Sequence, residues 1–256
     1  MKVFISAGHG GSDPGAVGNG LLEKDCNLYI ALAFGEVLEA AGVNVKYSRT
    51  KDENDPVTQE VIEANHYQAD YAISFHNNLD PNLADGEAEG SESYYYPGDM
   101  KGKALADTFE NVIINMGFKS RGSKPTNTLY FIRNTAMTAV LVESAFINTH
   151  DAARIDTVAE CSAYGEAYGH AFLKYIGVEI PNKPDIFSPF QIKAKNKKLY
   201  VYQDHTRNSK VTYVIEDKRR YTVVDSYVNN YEGEYWYKLK SGIGWINADD
   251  VEAIKG

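Results

Sequence analysis

The chain reads as an α/β protein with a mainly parallel twisted sheet and helices on both faces, followed by a small C-terminal all-β barrel. Strand and helix patterns alternate through residues 1–177, and then Pro181, Pro184 and Pro189 fall within a short stretch. Beyond them come only short segments rich in Tyr, Val and Ile. Alternation of strands with helices of ten residues or more predicts parallel pairing under a double helical cover, whereas regular short strands without helices predict a small barrel. The expected boundaries are 1–177, an extended Pro-rich linker at 178–189, and 190–256.

The elements follow in order. "KVFISA" at residues 2–7 is a buried strand, dominated by β-branched and aromatic residues and stopped by glycine. "LLEKDCNLYIALAFGEVLEAAG" puts Leu28, Leu32, Leu38 and Ala41 at helical spacing, with Gly42 as its C-terminal stop. "VNVKYSRT" is a strand, residues 57–68 a helix, and "ADYAISFHNN" a strand running into polar residues. Strand "GSESYYYP", helix "KGKALADTFENVIINMG", and strands "TLYFIRN" and "TAVLVESAF" come next. One or two helices in "DAARIDTVAECSAYGEAYGHAFLKYIG" complete the α/β part. "KLYVYQD", "VTYVIED", "RRYTVVDSYV", "EYWYKLKSG" and "GIGWINADDVEAI" are the later strands.

A net charge of -9 argues against nucleic acid as the main partner, because phosphate binding needs clustered cations. The charge is uneven: residues 187–256 hold 12 Lys and Arg against 9 Asp and Glu, while the whole chain has 26 against 35. Cys26 and Cys161, one in each of two helical patterns, read as core residues rather than a disulfide framework. "MKVFISAGHG" has no apolar signal region, and no transmembrane segment is evident. The expectation is a protein made in the cytoplasm.

Three strand patterns end in residues able to hold or serve a metal: His9 after "VFISAG", His76 after "YAISF" and Glu143 after "AVLV". Parallel strands bring these ends to one edge of the sheet, where ligands of such folds gather. Glu23 opens the helix after the glycine loop and returns to that edge. Glu143 is the hardest to explain structurally, since an acid amid apolar neighbours is costly to bury without a purpose. Two imidazoles and a carboxylate make a zinc triad with an open position, and a second carboxylate can move a proton, which predicts hydrolysis of an amide or ester. A phosphate cradle is the poorer reading of "GHGGSDPGAVGNG", which lacks a Gly-Lys-Ser/Thr ending and holds Asp13. His66, His150, His170 and His205 read as structural or surface residues.

Taken together, "AGHGGSDPGAVGNGLLEKD", "SFHNN", "GSESYYY", "SRGSKPTNTLYFIRNT" and "TAVLVESAFINTHDA" resemble the zinc-dependent N-acetylmuramoyl-L-alanine amidases of phage endolysins and bacterial autolysins. The resemblance covers residues 1–177 and implies zinc on His9, Glu23 and His76, with Glu143 as catalytic acid/base and Asn78 as a supporting substrate-binding residue. It departs at Thr138, where proline is common, and at Glu60, where arginine is common. Residues 190–256 resemble a bacterial Src-homology-3-like (SH3-like) wall-binding module, chiefly through "YWYKLKSGIGWINADDVEAI". The implied partners are peptidoglycan and a cell-wall polymer, reached after holin-mediated release or lysis. A phage endolysin is expected. The alternatives are a sporulation or mother-cell autolysin, a zinc stem-peptide peptidase, or a non-catalytic wall-binding protein.

Overall fold

The computed structural model describes residues 1–82, 88–178, 190–203, 206–207, 209–216, 219–229 and 234–254. Apart from Val178, the expected linker lies outside the described residues, as does His205. The chain divides into two compact units, Met1–Asp156 with Glu160–Ile180, and Thr157–Ala159 with Pro181–Gly256.

In the first unit, β1 (Lys2–Ala7) leads through a loop into a two-stranded ribbon, β2 (Val17–Gly18) and β3 (Leu21–Leu22), and then α1 (Glu23–Ala40). Next come β4 (Asn44–Tyr47), α2 (Val57–Tyr67), β5 (Tyr71–Asn78), β6 (Ser91–Tyr95) and α3 (Met100–Asn115). Then follow β7 (Ser120–Pro125), α4 (Tyr130–Asn134), β8 (Thr138–Phe146), a 3-10 turn at His150–Arg154, and α5 (Val158–Tyr175). The six strands lie in the order β4-β1-β5-β8-β6-β7. From β4 to β8 all pairs are parallel; β6 runs antiparallel to β8, and β7 parallel to β6.

The central strands are mainly apolar because both faces are covered. Val3, Ile5, Ile73, Phe75, Val140 and Val142 pack with residues of α1, α3 and α5, whereas Phe4, Ala72, Ala139 and Leu141 pack with Val61 and Ala64 of α2 and with Phe131 and Ile132 of α4. Gly165 and Gly169 let α5 lie directly on α1, since a Cβ at Gly165 would stand 2.2 Å from the Ile30 carbonyl oxygen. Cys26 and Cys161 are buried free thiols, and both donate to the Ile155 carbonyl, at 3.6 and 3.3 Å.

The structure corrects the expectation for "TLYFIRN": its last five residues are helix, not strand. Phe131 and Ile132, adjacent in sequence, are both buried in one core, which alternation along a strand cannot achieve and a helical turn can. The Asn65 side chain of α2 braces the turn, donating to the Asn134 carbonyl and accepting from the Ala136 amide. β7 escapes the sequence reading because "SRGSKP" has no apolar alternation. It is a polar edge strand.

The second unit contains β9 (Phe190–Ala194), β10 (Leu199–Tyr202), β11 (Val211–Ile215), β12 (Tyr221–Asn229), β13 (Glu234–Leu239), β14 (Trp245–Asn247) and β15 (Val251–Ile254). They form one antiparallel sheet ordered β11-β10-β14-β13-β12-β9-β15. Its core includes Ile192, Val201, Val223, Leu239 and Ile246. Trp236 is fully buried, with Tyr202 edge-on at 5.3 Å. Among the described residues no helix is long and apolar enough to cross a membrane.

Candidate metal centre

The carboxyl ends of β1, β5 and β8 meet as the topology requires. His76 on β5 is the register partner of Glu143 on β8, and His9 follows β1, which pairs with the other side of β5. Chain direction alone would not return Glu23 to this edge; the loop does. Asn19 and Gly20 both have positive φ and form the two-residue turn between β2 and β3, and the Asn19 amide pins that turn to the carbonyls of Ile147 and Thr149. Glu23 and Ala16 then bond reciprocally: the Glu23 amide donates to the Ala16 carbonyl, and the Ala16 amide donates to Glu23 Oε2 at 2.7 Å.

The loop is tight around the imidazoles. His9 itself holds φ 66°, a left-handed conformation that costs a non-glycine residue about 1 kcal/mol or more and persists only where its surroundings enforce it. Gly15 also has φ 66°, and a Cβ there would lie 2.5 Å from Glu23 Oε2 and 2.7 Å from the His9 ring. At Gly8 a Cβ would stand 2.2 Å from the His76 ring, so only glycine lets β1 pass that imidazole. The buried Arg49 guanidinium, which the sequence reading missed, ties the end of β1 to the start of α1 by donating to the carbonyls of Ala7 and Lys24.

His9, Glu23 and His76 each offer a ligand atom, all within 4.8 Å of one another. Glu23 Oε2 is 3.3 Å from His9 Nε2, and Glu23 Oε1 is 3.0 Å from His76 Nδ1. The other His9 nitrogen, Nδ1, is 2.9 Å from Asp13 Oδ2, a partner that fixes the ring with Nε2 toward Glu23. Asn27, one helical turn after Glu23, donates to Glu23 Oε1 and to the Gly8 carbonyl, and its own oxygen accepts from Asn77. These asparagines were also missed; the spacing of Glu23 and Asn27 on one helix was the available signal.

Electrostatics fits a cation site. The hydrogen bond that His9 donates to Glu23 raises the His9 pKa to about 9 against the effect of burial. For His76 burial opposes the charged form, and Glu23 overcomes it to raise the pKa. Burial would raise Glu23, yet the two imidazoles hold it well below the usual carboxylate range. One carboxylate between two imidazoles favours positive charge at this point, which a divalent ion can supply in place of protons. Two imidazole nitrogens and a carboxylate oxygen are one of the donor sets that catalytic zinc uses.

Glu143 stands beside this set with Oε2 buried and without a hydrogen-bond partner. Burial pushes its carboxyl up to about 7; His76 pulls against that, and Glu23 and Glu92 add to it. A carboxyl so poised can accept and return a proton near neutrality. Asn78, expected as a supporting substrate-binding residue, donates to Glu92 Oε1 at 2.8 Å and accepts from the Leu79 amide. A second acidic and imidazole group, Glu89, His150 and Asp151, is already neutralised by Lys119 on Glu89 and Arg154 on Asp151.

Glu60, the departure noted above, is buried beneath the site, where Ser6 Oγ donates to it at 2.9 Å and in turn meets Ser74 Oγ. Burial, with Asp55 adding, raises its carboxyl from an ordinary 4.5 to about 7. Between these values the folded state keeps a proton that the unfolded state has lost, so stability falls as pH rises through this window and the whole cost applies above it. Glu60→Gln keeps an acceptor for Ser6. It is expected to change stability little at pH 4 and to raise it by up to ~3 kcal/mol at pH 8, checked by denaturant unfolding at both pH values.

Comparison with known proteins adds an independent result. The sequence profile of the family described as N-acetylmuramoyl-L-alanine amidase matches residues 3–173. The chain is 39% identical over 176 residues to a sporulation-specific N-acetylmuramoyl-L-alanine amidase of Bacillus subtilis, covering 67% of this chain and 66% of that one, so it spans just under two thirds of that relative. It is 32% identical over 274 aligned positions to an endolysin of Bacillus phage SPP1, covering 99% of this chain and 98% of the relative. Among solved structures, amidase AmiC2 of Nostoc punctiforme aligns with TM-score 0.65 and 32% identity over 69% of this chain and 97% of that one.

Proposed function

Because this chain belongs to the N-acetylmuramoyl-L-alanine amidase family, we propose that it is a zinc-dependent peptidoglycan hydrolase that cuts the amide between N-acetylmuramic acid and the L-alanine of the stem peptide. The observation that carries the reading is the convergence of His9, Glu23 and His76 beside the buried, unpartnered Oε2 of Glu143. Zinc held by the three ligands would supply an electrophile that polarises the scissile carbonyl and acidifies water to a pKa of about 7. Asp13 and Asn27 orient the ligands, Asp13 by fixing the His9 ring and Asn27 by holding Glu23. Glu143 takes the proton of the attacking water and returns it to the alanine nitrogen, whose departure as an amine requires it.

A phage endolysin is the favoured setting. Similarity to the SPP1 endolysin runs through nearly the whole of both chains, whereas similarity to the sporulation amidase covers 67% of this one. Residues 190–256 are then the SH3-like wall-binding module, joined through the linker at 178–189 to a catalytic domain at 1–177. Exposed Tyr200, Tyr213 and Tyr235 support that reading, since aromatic faces stack on sugar rings.

End-group analysis of digested cell walls tests the proposal. New N-terminal L-alanine with intact glycan strands is expected. New amino termini within the stem peptide would mean a peptidase instead, and an absence of new ends would mean a non-catalytic wall-binding protein.

A further inference from the structure

One face of the sheet carries a row of polar side chains across four neighbouring strands. His76 on β5 is level with Glu143 on β8, Glu143 with Glu92 on β6, and beyond Glu92 stand Arg121 and Lys124 on β7. We propose that Arg121 and Lys124 form a carboxylate subsite for the stem peptide, binding the free carboxylate of the residue that follows L-alanine. This rests on the reading of the protein as an amidase.

Direction, charge and reach support the assignment. Glu143 must face the leaving nitrogen to protonate it, so the peptide extends past Glu143 over β6 and β7, and the acyl side lies toward His9. The acyl side carries the exposed carboxylate of Asp13 next to His9, an unfavourable neighbour for a peptide carboxylate. On the β7 side the balance is positive. Buried Glu92 takes both cations on one oxygen, Arg121 Nε at 2.9 Å and Lys124 Nζ in close contact, while Asn78 and Tyr94 donate to its other oxygen at 2.8 and 2.7 Å. Two cations share one carboxylate, and one positive charge is left for a ligand.

The cations are fixed and reachable. Their side chains are 36% and 38% exposed, against 5% for Glu92. Arg121 also lies over the Phe146 ring at 5.0 Å. It uses Nε on Glu92, leaving the two Nη groups of its fork for a second carboxylate. Consecutive Cα atoms are about 3.8 Å apart, which puts the carboxylate of the second residue about 6 Å from the scissile nitrogen. Strands are spaced about 4.8 Å apart, so Glu92, on which the cation heads gather, stands one strand spacing from Glu143 and within reach of that carboxylate.

The test uses two disaccharide muropeptides, one with D-isoglutamate after L-alanine and one with D-isoglutamine, which differ only in the charge of that group. Wild-type protein is expected to favour the acid in kcat/KM by on the order of tenfold or more. In Arg121→Gln and in Lys124→Gln the ratio should fall toward one, chiefly through a higher KM for the acid. Arg121→Lys should retain part of it. A ratio unchanged by the substitutions, or an equal loss on both substrates, would overturn the subsite while leaving the amidase reading intact. Failure of wild-type protein to cut either substrate at the muramoyl-alanine bond would overturn that reading and the subsite with it.

Discussion

Glu143→Gln is expected to lower kcat for muramoyl-L-alanine hydrolysis by about 10²–10⁴-fold with zinc still bound. Glutamine has nearly the same shape and can hydrogen-bond, but it can neither accept the proton of an attacking water nor return one to the leaving nitrogen. The substitution removes none of the proposed ligands, His9, Glu23 and His76. It also replaces a carboxyl whose Oε2 is buried and unpartnered with a neutral amide, so folding stability should be equal or slightly higher. Turnover of a defined muropeptide, with metal content measured on the same sample, checks both halves of this expectation. Activity within a few-fold of wild type would remove Glu143 from the proton transfer.

His76→Ala should act through the metal. It takes away one of two imidazoles and leaves two protein ligands, so zinc affinity should drop at least about a hundredfold and activity on the order of a thousandfold or more at limiting zinc. High zinc should recover part of that activity, which it cannot do for Glu143→Gln. His66→Ala, at an exposed position on α2, is the matched control and should behave as wild type. Equilibrium zinc binding and activity measured across a zinc series separate loss of metal from loss of chemistry.

The convergence of His9, His76 and Glu143 was legible in the sequence because it follows from strand direction. A histidine after β1, another at the end of β5 and an acid within an apolar β8 must share an edge once the strands are parallel. Glu23 was legible as a helix-opening acid after a glycine-rich loop, although the device that returns it, the Asn19-Gly20 turn, went unread. What stayed hidden depended on lateral neighbours. Asn27 and Asn77 matter through bonds to Glu23 and to each other. Glu92, Arg121 and Lys124 meet only because β6 turns antiparallel onto β8 and brings β7 beside it. Local pattern cannot specify that order. The same limit explains α4, where tertiary burial of Phe131 and Ile132 overrode strand-like composition.

Zinc titration of metal-stripped protein, with muramoyl-L-alanine cleavage followed at each addition, tests the central claim most directly. The account predicts no cleavage without metal and activity that rises to a plateau at one zinc per chain, with the plateau reached only when His9, Glu23 and His76 are all present. Full cleavage by the metal-stripped protein, or an unchanged titration after loss of His76, would contradict it.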